Sequence, residues 1–242
     1  MLKPAGAAGE IHDHAHHFDE IASVYDETIP RHVQEHYLKK RLGLLRRMAG
    51  QGPILDVGCG TGVLLQRIAA WEPEAAGVDA SAEMLAVTRE KRGLPAVCAL
   101  SSSLPFLSDT FATAFCVALL HHLADPDVVA ETIREMVRVV RPGGAVVLID
   151  HNPLNPYWPL LMRRVPQDDG TERLVPLSEL LRGVRSARGE PVGVYRLGFM
   201  PDFMPPALLP LARGAERLLE AAPLLRKLAA HNVVVVRKVG RG

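Results

Sequence analysis

The sequence is poor in cysteine and aromatic residues and has no large excess of either charge. Its cysteines, Cys59, Cys98 and Cys116, form no Cys-x-x-Cys pair, which excludes the common zinc and dithiol motifs and suits a reducing, cytoplasmic location. Basic and acidic residues number 28 and 27, and this balance argues against a nucleic-acid partner. Because no run of about 18 apolar residues occurs, we expect no membrane span.

The 242 residues, 48% of them apolar, are typical of one globular domain. We predict a flexible tail over 1–17 and a single domain over 18–242. Within it, residues 18–50 form a helical cap, 51–150 the cofactor-binding core, and 151–242 the acceptor-side region. The tail histidines favour a solvated segment over a metal site, and we expect no metal. They are His12, His14, His16 and His17.

Hydrophobic periodicity predicts an α/β fold with a doubly wound, mostly parallel sheet. Helical spacing covers 18–25, 30–48, 63–71, 82–91 and 126–140. Short apolar runs at 54–57, 75–78, 96–100, 111–120 and 145–149 predict strands between them, and the Arg-Pro-Gly-Gly at 141–144 predicts a stop. Beyond a loop at 152–169, the pattern predicts a helix at 178–184 and strands at 192–199 and 233–239. Helical segments at 205–230 are interrupted by Pro210 and Pro223.

A glycine-rich turn follows the first predicted strand. Gly58, Gly60 and Gly62 permit a tight turn and close approach of a ligand to the backbone before a helix. Asp79, at the end of the second strand, is placed to accept hydrogen bonds from ribose hydroxyls. Asp56 before the glycines would repel a pyrophosphate and suits a cationic amine, so the loop favours an aminoacyl nucleoside over NAD.

Residues 54–62, ILDVGCGTG, resemble the first motif of the class I (Rossmann-like) S-adenosylmethionine-dependent methyltransferases. Residues 104–106, 120–123 and 139–144 resemble later motifs of the small-molecule subgroup that includes quinone-biosynthesis enzymes. Residues 18–26 resemble the N-terminal helix that closes over the cofactor in that subgroup. The resemblance implies a seven-stranded sheet with an antiparallel last strand, an N-terminal helical cap and a C-terminal helical insert.

The resemblance also implies S-adenosylmethionine as cofactor and S-adenosylhomocysteine as product. Gly58, Gly60 and Gly62 would bring the backbone to the methionine moiety, Asp56 would orient its amine, and Asp79 would hold the ribose. The other cofactor contacts expected on this basis are Tyr25, Cys59, Ala80, Met84, Ser101, Ser102, Val117 and Ala118.

Methyl transfer requires an acceptor placed in line with the methyl group, and a base only if the acceptor is a hydroxyl or an acidic carbon. His151 ends the fifth predicted strand, and His121 and His122 follow the fourth, so all three lie at the carboxyl edge of the sheet. We take His151 and His122 as catalytic candidates, although each also suits a wall of the site. His32 and His36, one helical turn apart, are expected to face the surface.

The acceptor is expected to be a small molecule: a natural product, a quinone or a lipid-like metabolite, with a polar metabolite left open. The apolar residues Phe199, Met200, Phe203 and Met204 and the leucines over 208–225 suit either a lid over the acceptor or, for most of them, core beneath the last strand. The sequence leaves the oligomeric state open.

Two other functions compete with this hypothesis. The first is a catalytically silent binding module on the same fold. It is favoured by Leu100, where the family often has an acid, and by Ala112, where the fourth strand often opens with Phe-Asp. The second is an NAD-dependent oxidoreductase, which the glycine spacing and Asp56 disfavour.

Overall fold

The computed structural model describes residues 15–162, 166–168 and 170–240. The predicted tail lies outside the described residues up to position 14, and with it His12 and His14. Residues 15–17, which we assigned to the tail, instead begin helix α1 (15–21), so the boundary at 17 was wrong. No helix within the described ranges is both long and apolar enough to cross a bilayer.

One seven-stranded sheet organises the described chain, in the order β3-β2-β1-β4-β5-β7-β6. Neighbouring strands from β3 to β5 run parallel, whereas β7 pairs antiparallel with both β5 and β6. The predicted doubly wound fold and its antiparallel last strand are therefore confirmed. The strands are β1 (Ile54–Val57), β2 (Ala76–Asp79), β3 (Ala96–Cys98), β4 (Phe111–Val117), β5 (Val140–His151), β6 (Gly189–Leu197) and β7 (His231–Lys238).

Helices cover both faces of the sheet. Alternate residues of a strand point to opposite faces, so Phe115 packs on one side, near α2 and α3, while Cys116 packs on the side of α5 and α7. After α1, the α-helices are α2 (Arg31–Met48), α3 (Val63–Ala69), α4 (Ala82–Arg92), α5 (Pro126–Val139), α6 (Trp158–Leu161), α7 (Leu177–Ser186) and α8 (Leu209–Ala221). Short 3-10 turns include Tyr25–Glu27, Leu120–His122 and Leu225–Leu228.

Two local predictions fail where tertiary pairing overrides local signals. The Pro-Gly-Gly over 142–144 does not precede β5 but lies inside it, because Val140 already pairs with Phe111 and a register shift accommodates the extra residues. Pro210 does not interrupt a helix, because it lies in the first turn of α8. Amide groups in a first turn have no hydrogen-bond partner within the helix, so proline is tolerated there.

The contact between α2 and α8 overturns a further prediction. His36 is buried and its Nε2 lies 2.7 Å from Glu216 Oε2, while His32 Nε2 lies 2.5 Å from the carbonyl of Met204. Neither histidine is therefore part of a free surface pair, because α8 packs over His36 and the chain before α8 contacts His32.

Candidate functional site

The glycine loop connects β1 to α3 at the carboxyl edge of the sheet. Gly58, Gly60 and Gly62 all have positive φ angles, of 74°, 53° and 80°. A Cβ atom added at Gly60 would meet nothing within 4 Å, so this backbone faces open space that a ligand can fill. At Gly62, in contrast, an added Cβ would lie 2.9 Å from Thr88, so this glycine serves helix packing.

Asp79 ends β2 beside this loop. Its carboxylate accepts hydrogen bonds from the amide of Gly60 at 2.7 Å and from the amide of Ser81 at 3.0 Å. Burial raises the pKa of Asp79, and the backbone amides that donate to it act in the opposite direction. The side chain is thus fixed between the loop and the start of α4, at the edge of a cavity.

That cavity, here the loop cavity, lies between the glycine loop, the ends of β2 and β4, and α1. Of the thirteen cofactor contacts expected from the sequence, ten line it. They are Tyr25, Gly58, Gly60, Asp79, Ala80, Met84, Ser101, Ser102, Val117 and Ala118. Phe18, from the segment that the resemblance placed over the cofactor, also lines it. Sequence reasoning missed Ser81 and Leu119, which the ends of β2 and β4 bring to the same cavity.

Three expected contacts lie behind the cavity wall. Cys59 turns its side chain away from the cavity and is buried against β2, where its Sγ would lie 2.6 Å from a Cβ added at Gly77. Gly62 packs on Thr88, and Asp56 lies beneath the loop as a buried residue of β1. Leu100 forms an apolar part of the wall, whereas Ala112 is fully buried at the opposite end of β4.

An N-terminal segment, residues 15–28, covers the loop cavity and is held at two points. Asp19 accepts hydrogen bonds from the Ser81 hydroxyl at 2.5 Å and from the amide of Glu83 at 3.1 Å, at the start of α4. Asp26 accepts from the Thr61 hydroxyl at 2.6 Å and pairs with Arg92 at 2.5 Å. These contacts fasten the segment to both sides of the cavity.

A second cavity of about 450 Å³, here the histidine cavity, lies on the other side of the β4 and β5 ends. Its wall is mainly apolar and aromatic, with Tyr37, Tyr157 and Trp158 among its members. The two cavities share four lining residues, which are Tyr25, Val117, Ala118 and His122. A molecule in each cavity would therefore meet the other across the end of β4.

His121 and Asp150 form a buried pair in the wall of the histidine cavity. His121 Nδ1 lies 2.8 Å from Asp150 Oδ1, and the same carboxylate accepts the amides of Leu120 and His151. Burial lowers the pKa of His121, but Asp150, with help from Asp168 and Glu172, outweighs burial and raises it above the ordinary value. The carboxylate of Asp150 thus fixes Nδ1, and the other ring nitrogen, Nε2, lies 3.9 Å from Asp168 Oδ1 on the cavity side, beyond hydrogen-bond distance.

His151 and His122, the two sequence candidates, are placed differently. His151 is stacked between His121 and Trp158, with ring centroids 3.9 and 3.7 Å away. Its Nδ1 is buried and has no hydrogen-bond partner among the residues that the structure describes. Burial and the neighbouring histidines hold its pKa well below the ordinary range, so it is a neutral, weak base. His122 borders both cavities and packs edge-on against Phe18.

The histidine cluster also has the donor set of a metal site. Ligand atoms of His121, His122 and Asp168 lie within 4.8 Å of one another, and a histidine whose other ring nitrogen is bound to a carboxylate is a common metal ligand. The arrangement thus supports two kinds of chemistry, proton transfer by His121 or coordination of a cation.

The chain is similar in sequence and in fold to known methyltransferases. A family profile described as "Methyltransferase domain" matches residues 54–144. The chain is 32% identical over 169 residues to the demethylmenaquinone methyltransferase of Mycolicibacterium paratuberculosis, covering 64% of this chain and 69% of that protein. It is also 31% identical over 132 residues to a tRNA (carboxymethyluridine(34)-5-O)-methyltransferase of Arabidopsis thaliana, covering 53% of this chain and 31% of the relative.

Several matches cover only part of the relative. The chain spans less than two thirds of the length of some curated relatives, 46% in the case of the methyltransferase YcgJ of Bacillus subtilis. Among solved structures, a protein of Thermotoga maritima described as a possible histamine N-methyltransferase superposes with a TM-score of 0.71 at 18% identity. The superposition covers 93% of this chain and 99% of that one, which supports the fold.

Proposed function

The chain belongs to the class I S-adenosylmethionine-dependent methyltransferases, and we propose that it methylates a hydroxyl group or an acidic carbon of an apolar small molecule. One observation carries this proposal: the loop cavity and the histidine cavity meet at four shared residues, and the His121–Asp150 pair faces the histidine cavity. We assign the loop cavity to the cofactor and the histidine cavity to the acceptor.

The residues of the loop cavity fit this cofactor. When bound, it supplies an activated methyl group on a cationic sulfur. Gly60 exposes backbone to open space, and Asp79 lies where it can accept hydrogen bonds from a ribose. Burial raises the pKa of both Asp56 and Asp79, and the positive charges of a sulfonium and an ammonium group would favour the ionised form of these carboxyl groups.

The proposed proton acceptor is His121 Nε2. Asp150 holds Nδ1 of the ring and stabilises the imidazolium that forms when the acceptor loses its proton. Apolar and aromatic side chains form most of the wall around that proton transfer, while Arg41, Asp168 and Asp202 supply its charged part. A hydroxyl or an acidic carbon needs such a base, whereas a neutral amine does not, and this favours the first two acceptor classes.

The experiment that tests the function is transfer of labelled methyl groups from S-adenosylmethionine to a panel of acceptors. We expect turnover of phenols, quinols or enolic compounds with apolar substituents, and none of the matching methyl ethers, which lack the proton. A silent binding module would bind S-adenosylhomocysteine but leave the whole panel unmethylated. Methylation of a tRNA transcript, as the name of one relative suggests, would overturn the small-molecule assignment.

A metal-assisted reaction is the second candidate, favoured by the cluster of His121, His122 and Asp168. Removal of metal ions with a chelator distinguishes this reaction from base catalysis by His121. If His121 acts as the base, dialysis against a strong chelator leaves the rate of methyl transfer within about twofold of the untreated enzyme. A rate that falls by more than about tenfold and returns with Zn²⁺ or Mn²⁺ would assign the cluster to a metal.

Asp56 is expected to lower the stability of the fold at neutral pH and to strengthen cofactor binding. Burial, and secondarily Asp79, hold the pKa of Asp56 well above its ordinary value, whereas Arg41 lowers it. A raised folded-state pKa contributes stability below the unfolded pKa, near 4, and that contribution is lost as the pH rises through the folded pKa. At neutral pH, Asp56→Asn should therefore raise the unfolding midpoint by about 2–4 °C, the effect of about 1 kcal/mol in such a domain.

The same variant should bind S-adenosylhomocysteine about tenfold more weakly, because the charge that attracts the ammonium group is gone. Thermal unfolding of both proteins between pH 4 and pH 8, with calorimetric titration, checks both effects. The stability difference should shrink toward pH 4. A midpoint difference that is independent of pH would contradict this account of Asp56.

A further inference from the structure

Helix α8 presents its polar side to the protein. Glu216 is almost fully buried, and its carboxylate accepts hydrogen bonds from Lys40 at 2.9 Å and from the amide of Phe199 at 2.7 Å, with His36 Nε2 at 2.7 Å. Glu220 pairs with the same Lys40. An ionic network therefore fixes much of the inner side of this helix, beside the apolar packing of Leu209 and Ala212.

The outer side of α8 is apolar. Leu211 and Leu218, two turns apart on the same side, are 74% and 75% exposed. The sequence interpretation of most leucines in this region as core beneath the last strand was therefore wrong. We call the exposed group the leucine face. It consists of Leu208, Leu211, Leu218, Leu224 and Leu225.

Exposed basic side chains accompany the leucine face. Arg217, Arg226 and Lys227 are exposed, and no carboxylate of the described ranges lies within ion-pair distance of them. The acids of α8, Glu216 and Glu220, point inward to Lys40. The outer surface is thus both apolar and basic, as in helices that lie on anionic membranes.

The leucine face is continuous with the acceptor side of the site. Leu228, three residues after Leu225, is 41% exposed and also lines the histidine cavity. Phe203 is 70% exposed, and its ring centroid lies 6.2 Å from that of Tyr157, which lines the same cavity. An apolar compound that leaves a surface covered by these leucines would meet the opening of the histidine cavity directly.

We propose that the leucine face docks on the surface of an anionic lipid bilayer and that the acceptor enters from that bilayer. Exposed apolar patches of this kind mark interaction sites, and the basic residues select an anionic partner over a neutral one. The acceptor part of this inference rests on the proposed function, whereas the docking part is measurable without turnover.

The test is flotation of the full chain with vesicles of phosphatidylcholine alone or with about one third phosphatidylglycerol. We expect binding to the anionic vesicles, weakened by salt, and little binding to the neutral ones. Leu211→Gln combined with Leu218→Gln should weaken the binding about tenfold or more, since two exposed leucines lose their burial in lipid. Leu107→Gln, which changes an 83% exposed leucine away from α8, is the matched control and should bind like the wild type.

Calorimetric titration with S-adenosylhomocysteine verifies that the variants are folded. Absence of wild-type binding to anionic vesicles would overturn the proposal. So would a wild-type dimer that the double leucine variant converts to a monomer, because a second copy of the chain would then cover the leucine face. Vesicle binding without methylation of any acceptor would instead count against the proposed function alone.

Discussion

Replacement of His121 by alanine is expected to lower the rate of methyl transfer by about 10²–10⁴-fold. The reason is the loss of Nε2, which we propose as the proton acceptor in the histidine cavity. Affinity for S-adenosylhomocysteine should stay within about threefold of the wild type, because His121 does not line the loop cavity. Single-turnover rates with a hydroxyl acceptor and calorimetric titration measure the two effects separately.

The pH dependence gives a second readout of the same residue. Because its carboxylate neighbours raise the pKa of His121 above 6.5, the ring is protonated and inactive as a base at low pH. The rate should therefore rise with pH and level off above an apparent pKa higher than 6.5. Asp150→Asn removes the main raising influence, so it should move this midpoint to lower pH and reduce the plateau.

His151→Phe is the matched control, because phenylalanine keeps the stacking between His121 and Trp158. If His151 is only a neutral residue of the cavity wall, the rate of methyl transfer by His151→Phe should lie within about tenfold of the wild-type rate. If His151→Phe greatly lowered the rate of methyl transfer while His121→Ala left it close to that of the wild type, His151 would be the base. The sequence alone had made His151 a candidate for that role.

Replacement of Asp79 by alanine is expected to weaken S-adenosylhomocysteine binding by about 100-fold. The variant loses the charged acceptor proposed for the ribose, and hydrogen bonds to a charged group contribute about 1.5–3 kcal/mol each. It also releases the amides of Gly60 and Ser81, so the loop itself loses a fixed point. Calorimetric titration measures the affinity, and thermal unfolding verifies the fold.

Two companion variants separate these contributions. Asp79→Asn keeps one oxygen acceptor, so we expect its affinity to lie between those of the wild type and Asp79→Ala. Glu83→Gln removes an exposed carboxylate a few residues away and should leave affinity unchanged. If Asp79→Ala binds as tightly as Glu83→Gln, Asp79 does not hold the ribose.

The core of the fold was predictable because its signals are local. A buried strand such as Ile54–Val57 is recognised by its own apolar run, and the helix Ala82–Arg92 by the cap at Ser81, whose hydroxyl accepts the amide of Met84. The start of β5 was not predictable, since it depends on the pairing of Val140 with Phe111 across some 30 residues of intervening chain. Local glycines could not reveal that partner.

The site was predictable only in part, for a similar reason. The positions of Asp79 and the glycine turn at the ends of predicted strands can be read directly from the sequence. The tandem His121-His122 showed that imidazole lies at the carboxyl edge, but the choice between them depends on which ring Asp150 reaches. Likewise, the sequence shows that leucines recur in the region of α8, but it does not show which way they face. The burial of Glu216 on the opposite side of the helix determines that the leucine face points outward.

The clamped N-terminal segment has a kinetic consequence. Exchange of a ligand past this segment requires the bonds of Asp19 and Asp26 to break while Phe18 and Tyr25 withdraw from the cavity. On the proposed cofactor assignment, we expect different parts of the molecule to control affinity and residence time. The glycine turn and Asp79 would determine how tightly a ligand is held, and Asp19 and Asp26, which lie outside that turn, would determine how fast it leaves. We therefore expect product exchange by this route to depend on the opening of the segment, whichever acceptor has been methylated.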